Sequence, residues 1–120
     1  DPVELTQTNK KNYLRVKTSG KIDFDNQIYL YHLNQNGKPG FEVVNPILID
    51  NENYLINRGW IPFNKKDLPE INEINQNEIV GTLMFVQGAK EISAMKKKVT
   101  IRKKLLLQTY QLQAMQMQFM

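Results

Sequence analysis

The residues able to do chemistry are few, beginning with a single histidine, His32, and no cysteine. Because the chain has no thiol, it cannot form a disulfide, a thiolate zinc site or a cysteine nucleophile. A single imidazole also leaves most nucleophile–base schemes without a base. Asp23 and Asp25 flank Phe24 at a spacing that suits a cation, but turn capping is the common use of Asp. His32 lies in an apolar run and is expected to be a partly buried strand residue. The sequence therefore predicts no catalytic residue and no metal site, so we expect a protein that is not an enzyme.

A second feature is the tetrapeptide Asn57-Arg58-Gly59-Trp60, at the end of a strand-like run that starts at Asn53 and containing the single Trp of the chain. On an extended chain, residues two apart point to the same face, so the Arg58 guanidinium is expected to lie over the Trp60 indole. Gly59 leaves the opposite face open to another backbone or a ligand. The tetrapeptide is therefore either a docking surface or a core Trp covered by Arg.

The elements that must position these residues are strands. Up to about residue 92, turn signals separate runs rich in β-forming residues. The runs are residues 12–22, 27–33, 41–49, 54–61 and 78–86. Gly37, within Asn36-Gly37, and Gly40 mark a hairpin loop, and Pro46 lacks a ladder donor and implies an edge, a bulge or a break. This spacing predicts a mainly β fold, an antiparallel sheet, a small barrel-like domain or a sandwich.

The chain changes character after Lys90. Residues 94–120 carry four of the five Met, two basic clusters and a Gln-rich ending, without Gly or Pro. We expect a β-domain at 1–92 and an atypical tail at 93–120 that is dispensable from about Ala94 onward. The ending fits two interpretations. Either an apolar helical stripe or a final strand would explain it. The stripe comprises Leu105, Leu112, Met115 and Phe119.

The formal net charge is +4, and the basic clusters lie at 96–98 and 102–104. This positive net charge favours binding to acidic surfaces such as nucleic acid or anionic lipid headgroups. One hypothesis is therefore a small basic β-domain that stacks single-stranded nucleic acid on strand aromatics. These aromatics are Tyr29, Tyr31, Phe41 and Tyr54. Against it, the basic residues lie in the tail and not between the aromatics.

Four segments together carry a family resemblance. Tyr13-Leu14-Arg15-Val16 with Gly20 resembles a Y-x-R-V strand, and 37–47 resembles a G-x-x-G-[FY]-x-V-x-[TN]-P segment. Residues 54–62 resemble the V-L-V-N-R-G-W-[VI]-P signature, and 80–83 resemble the V-x-G-x-[LI] strand that follows it. Over residues 1 to about 90 the chain resembles the Surfeit-locus protein family of cytochrome c oxidase assembly factors.

The resemblance implies a non-enzymatic assembly factor that assists maturation of the oxidase core subunit, with other assembly factors, around heme a insertion. It implies a place beside the bacterial inner membrane, on its outer face, or beside the mitochondrial inner membrane. Family members usually have flanking membrane helices and a further Trp-containing strand, which have no counterpart here. No segment approaches the ~20 consecutive apolar residues of a membrane helix. Because the chain also opens at Asp1 without a leader, we expect a soluble piece of a membrane-anchored protein.

The resemblance also bears on cofactors and on site residues. The family's heme-linked His lies in its C-terminal membrane helix, so we expect no cofactor within this chain. The full-length protein remains a candidate for binding heme a. No nucleic acid is expected as a partner. Seven residues are expected to form a partner-binding or structural motif. They are Asn57, Arg58, Gly59, Trp60, Gly37, Gly40 and Pro46.

Overall fold

The computed structural model describes residues 1–6, 11–85 and 105–112. Nearly all of its regular structure is strand, with two single 3-10 turns, Phe63–Lys65 and Pro69–Asn72, between the sixth and seventh strands. The strands are β1 (Val3–Glu4), β2 (Arg15–Thr18), β3 (Lys21–Ile22), β4 (Ile28–Leu33), β5 (Pro39–Ile49), β6 (Glu52–Pro62), β7 (Ile79–Phe85) and β8 (Leu105–Gln108). The prediction of a mainly β fold is confirmed.

All eight strands form one sheet. Seven of them follow the order β1-β2-β7-β8-β6-β5-β3, and β4 pairs with the same edge of β5 as β3 does, beyond the end of β3. The sheet is mixed and not a closed barrel. Most neighbours are antiparallel, but β1 runs parallel to β2 and β8 runs parallel to β6. The expectation of an antiparallel sheet thus holds for the other five pairs of neighbouring strands and fails at these two.

Two hairpins connect β4 to β5 and β5 to β6, so that β5 lies between the other two strands. Between β5 and β6 the turn is Asp50-Asn51, with φ values of 50° and 65°, the positive angles that tight hairpin turns require. Between β4 and β5, the Asn34 side-chain oxygen accepts the backbone N–H groups of Asn36 and Lys38, each at 2.9 Å. Gly37 supplies a φ of 76° in this loop. Both turns lie where the sequence predicts them.

Pro46 lies inside β5, paired with Leu55 on β6, and its carbonyl accepts the Asp23 N–H at 2.9 Å. Because the N and C=O of a strand residue point to the same side, the Pro46 nitrogen faces away from β6. On that side β3 pairs no further than Ile47, and β4 begins opposite Val44. Proline therefore occupies a gap in the sheet edge where no ladder donor is needed.

The apolar core lies on one face of the sheet. Its main cluster takes buried side chains from six strands, with Phe24 and Ile74 packed against it. These side chains are Val16, Ile22, Ile47, Ile49, Tyr54, Ile56, Ile79, Leu83 and Leu107. A second cluster, at the other end of β5 and β6, contains Val43, Ile61, Ile71 and Leu112.

The strand β8 lies between β7 and β6, at an inner position of the sheet. Leu107 and Leu112 are 2% and 0% exposed. Residues 105–112 thus contribute to both core clusters, which argues against the expectation that the chain is dispensable from Ala94 onward. The boundary between 92 and 93 lies within residues 86–104, outside the described residues, and stays a prediction. Residues 115 and 119 of the supposed helical stripe also lie outside them.

Candidate functional site

A β-bulge separates Arg58 from Trp60. On β5, Glu42 and Val44 are two residues apart, but their partners on β6, Trp60 and Asn57, are three apart. The extra residue breaks the alternation of side chains, so Arg58 and Trp60 point to opposite faces of the sheet. The expectation of a guanidinium lying over the indole is therefore wrong.

Gly59 makes this bulge possible. Its φ is 119°, in the region that favours glycine, and its N–H donates to the Asn57 side-chain oxygen at 3.0 Å. The Asn57 amide also donates to Glu42 Oε2, at 3.1 Å, across the register shift. Asn57 and Gly59 thus form the bulge itself.

The Arg58 side chain enters the core face and is 0% exposed. Its Nη1 donates to Gln27 Oε1 at 2.9 Å and to Asn45 Oδ1 at 3.3 Å. Its Nη2 donates to the Ile71 backbone carbonyl, and its Nε donates to Gln111 Oε1 at 3.2 Å. One side chain thereby joins the start of β4, the middle of β5, the second 3-10 turn and the segment after β8.

The electrostatics of this arrangement are unusual, since every acceptor is a neutral carbonyl oxygen. None of the acidic side chains in the described part of the chain forms an ion pair with Arg58. The guanidinium carbon lies 5.5 Å from the centre of the Phe24 ring, which adds a cation–π contact. Burial lowers the Arg58 pKa to about 10, so the side chain stays charged at neutral pH. Arg58 is an internal clamp and not a surface for a partner.

Of the two carboxylates that flank Phe24, that of Asp23 caps a turn. Asp23 Oδ1 accepts the backbone N–H groups of Asp25 and Asn26, at 3.1 and 3.3 Å, and Asp23 Oδ2 accepts the Asn26 amide at 2.7 Å. The interpretation of Asp23 as a turn cap is confirmed. Within the described residues there is no group of three or more His, Cys, Asp or Glu side chains able to hold a metal ion.

Trp60 crosses the other face of the sheet. Its indole Nε1 donates to the His32 backbone carbonyl on β4 at 2.8 Å, although Trp60 belongs to β6 and β5 lies between them. The ring passes over Gly40, where a Cβ atom would lie 2.5 Å from two indole carbons and 2.2 Å from the Ile61 carbonyl oxygen. Trp60 is 9% exposed. The close approach that the sequence suggested for Gly59 is observed at Gly40.

Comparison of the sequence with protein-family models shows the family of this chain. The model of the SURF1 family matches residues 1–120. The chain belongs to the SURF1 family. Searches of curated proteins and of solved structures gave no match. The SURF1 family is a membrane-associated family of cytochrome c oxidase assembly, and it is not a known enzyme class. In the described residues, no helix has the length and hydrophobicity needed to cross a bilayer.

The exposed part of this SURF1-family site is a polar cleft beside Trp60. It is lined by His32 and Glu42, by residues 33–36 of the hairpin and by the indole. The His32 Nε2 atom lies 3.9 Å from Glu42 Oε1. The cleft is lined by an imidazole and a carboxylate but by no nucleophile. It is therefore suited to recognition by hydrogen bonds rather than to covalent chemistry.

Three residues of this SURF1-family site were missed in the sequence: Gln27, Asn45 and Gln111. Each supplies a carbonyl oxygen to Arg58. Asn45 carried a usable signal, because a polar residue interrupts the apolar run Val-Val-Asn-Pro-Ile and a buried polar group needs a partner. Gln27 and Gln111 carried none, because they meet Arg58 only through the folded sheet.

Proposed function

We propose that this chain is the membrane-adjacent domain of a cytochrome c oxidase assembly factor. It assists maturation of the oxidase core subunit, together with other assembly factors, around the stage of heme a insertion. Its role is to hold a polypeptide partner and not to catalyse a reaction. The observation that carries this proposal is the match of the SURF1 family model to residues 1–120.

The geometry supports binding at the cleft beside Trp60 and at the hairpin loop. Gln35, Asn36 and Lys38 are exposed at the loop tip, and His32 has a side chain that is 57% exposed. Arg58 and Trp60 lie behind this surface, where they fix the positions of β4 and β5. The sequence motif thus supports the binding surface, and the partner is proposed to contact the loop and the cleft.

Heme a is proposed to be handled elsewhere in the assembly. A histidine axial ligand from this chain would have to be His32, since it is the single histidine. Its ring lies on an outer strand beside Glu42, in an open polar cleft. These residues do not form an enclosed apolar heme pocket, so we assign no heme-binding step to this chain. The proposed contribution to heme a insertion is through the partner polypeptide.

Site-specific photo-crosslinking in cells tests the proposal. A photo-reactive residue at Gln35, on the loop, is expected to cross-link to the oxidase core subunit or to another assembly factor. The same residue at Lys17, exposed on β2, serves as the control. Equal capture of oxidase subunits from both positions would rule out the proposed surface. Normal assembled oxidase in cells lacking the protein would rule out the function itself.

The single-stranded nucleic-acid hypothesis has less support. Tyr54 is 3% exposed in the main core cluster and cannot stack on a base. The aromatic residues Tyr29, Tyr31 and Phe41 do share one surface with Lys66. Oligonucleotide binding that weakens with added salt would favour this alternative. The family match favours the assembly function.

A further inference from the structure

The strand β4 forms an open outer edge of the sheet. Its six residues, Ile28–Leu33, pair with β5 on one side, and within the described part of the chain no strand pairs with the other side. Alternate backbone N–H and C=O groups along this side are therefore available for a further strand. The other outer strands, β1 and β3, have only two residues each and offer a much shorter edge.

The β4 edge lacks the features that normally prevent strands from associating. Natural edge strands carry Lys, Pro, bulges or inward-pointing charges. Here the sequence is Ile-Tyr-Leu-Tyr-His-Leu, with no Lys, Arg, Asp, Glu, Pro or Gly. Leu30, Tyr31 and Leu33 are 46%, 63% and 48% exposed. Apolar side chains thus stand on both faces of an edge that is also open along its backbone.

An aromatic row leads to this edge on one face. The rings of Phe41 and Phe63 have centroids 4.9 Å apart, and Tyr31 on β4 lies 5.6 Å from Phe63. Tyr29 meets Phe41 edge-on at 5.8 Å. A strand added next to β4 would extend this row, because cross-strand aromatic pairs stabilise a sheet.

We propose that the β4 edge binds β4 of a second copy of this chain, antiparallel, around a two-fold axis perpendicular to the sheet. Such an axis keeps each face of the sheet on the same side in both copies. With Tyr31 opposite its own copy, His32 lies opposite Leu30 and Tyr29 lies opposite Leu33. No like charges meet across the axis, even when His32 is protonated.

Two other occupants fit the observations less well. A lipid surface would accept the aromatic side chains but would leave the edge backbone groups without hydrogen-bond partners in hydrocarbon. A strand from a different protein would satisfy the backbone, but the β4 edge has no charged residue with which to select it. A second copy satisfies the backbone groups and also matches the uncharged edge.

Sedimentation equilibrium over a wide range of protein concentrations tests the proposal. We expect a reversible dimer for the parent chain. Tyr31→Lys would place two lysines opposite each other at the axis and should weaken the dimer at least tenfold. Tyr110→Lys is the matched control, because Tyr110 is 65% exposed and lies outside every strand. It should dimerise as the parent does. Near-ultraviolet circular dichroism of Trp60 checks that both variants are folded.

Hydrogen exchange supplies the second measurement. Outward-facing amides of Ile28–Leu33 are expected to exchange slowly when the chain is dimeric and rapidly when dilution makes it monomeric. A parent chain that stays monomeric at every concentration would overturn the proposal, whether its β4 amides exchange fast or slowly. A dimer that persists unchanged in a folded Tyr31→Lys variant would overturn it as well.

Discussion

The indole of Trp60 crosses β5 directly above Gly40 and ends at the His32 carbonyl on β4. Gly40, which lies within β5 and not in the hairpin loop, and the Arg-Gly-Trp tripeptide therefore form a single packing unit across three strands. The unit fixes β4 to β6 over the strand between them. Gly40 is glycine because the ring occupies the space where a side chain would begin.

The first prediction concerns two glycines of one hairpin. Gly40→Ala places a Cβ atom 2.2 Å from the Ile61 backbone oxygen and 2.5 Å from the Trp60 ring, so the strands must separate. We expect a loss of about 3 kcal/mol or more in the free energy of unfolding. Gly37→Ala meets no atom within 4 Å and strains only a φ of 76°, which costs about 1 kcal/mol. Urea melts of both variants measure the difference, and equal losses would contradict the proposed packing.

The second prediction concerns the clamp. Arg58→Ala leaves Asn45 Oδ1 and the Ile71 carbonyl without their donor and removes one of the two donors to Gln27 Oε1, so it should cost about 3–5 kcal/mol. Arg58→Lys keeps the charge but cannot reach all of these oxygens, so it should cost about 2 kcal/mol or more.

Arg15→Ala is the control for the clamp, since Arg15 is exposed on β2 and should change stability by about 0.5 kcal/mol or less. Denaturant melts report all three variants. A stable Arg58→Lys variant would mean that the fork of donors is not needed.

The third prediction is that Trp60→Ala destabilises the chain more than any other aromatic-to-alanine change. Trp60 is 9% exposed, and loss of its ring opens a cavity over Gly40. The cost should be about 3–5 kcal/mol. Trp60→Phe keeps most of the packing and loses the hydrogen bond to His32, so about 1–2 kcal/mol is expected. Thermal melts that rank Tyr31→Ala, an exposed control, as equally damaging would refute this prediction.

The fourth prediction concerns the segment after residue 104. Amides of Leu106 to Gln108 should exchange as slowly as those of Tyr54 to Trp60, because β8 is hydrogen-bonded between β7 and β6. Leu107→Ala should cost about 2–5 kcal/mol, since Leu107 is 2% exposed in the main core. Fast exchange across β8 at the rate of a frayed terminus would restore the interpretation of a dispensable tail.

The fifth prediction concerns stability in alkaline solution. Burial, followed by hydrogen-bond donation to Glu52, raises the Tyr54 pKa above its usual value, so the folded chain keeps a proton that the unfolded chain loses. This contribution to stability is present below the unfolded pKa of about 10 and is lost as the pH rises above it.

The variant Tyr54→Phe isolates this effect. Between about pH 8 and about pH 11 the parent should lose more stability than the variant, as measured by urea melts. Arg58 acts in the opposite direction, because its lowered pKa relieves the cost of a buried charge above about pH 10. Since Arg58 is present in both proteins, the difference between them reports Tyr54. An identical loss in both proteins would show that Tyr54 does not titrate with unfolding.

Much of the fold was predictable, and the exceptions have physical causes. The alternation of Val16 and Thr18 and the two hairpin turns are encoded within a few residues. For the ending, the sequence left a helical stripe and a final strand open, and it did not locate β8, because four residues beside basic clusters carry little periodicity. Its neighbours β6 and β7 come from earlier parts of the chain, so only the assembled sheet gives Leu107 its place.

The candidate site divides in the same way. The sequence by itself determined which residues matter: a strand-end Arg-Gly-Trp, a loop glycine and a proline without a donor. The tertiary structure decided what each one does. Gly59 adopts a φ of 119° and creates a bulge, so Arg58 turns into the core and Trp60 turns to the opposite face. Local alternation rules assume regular pairing, and a single extra residue in one strand reverses every assignment beyond it.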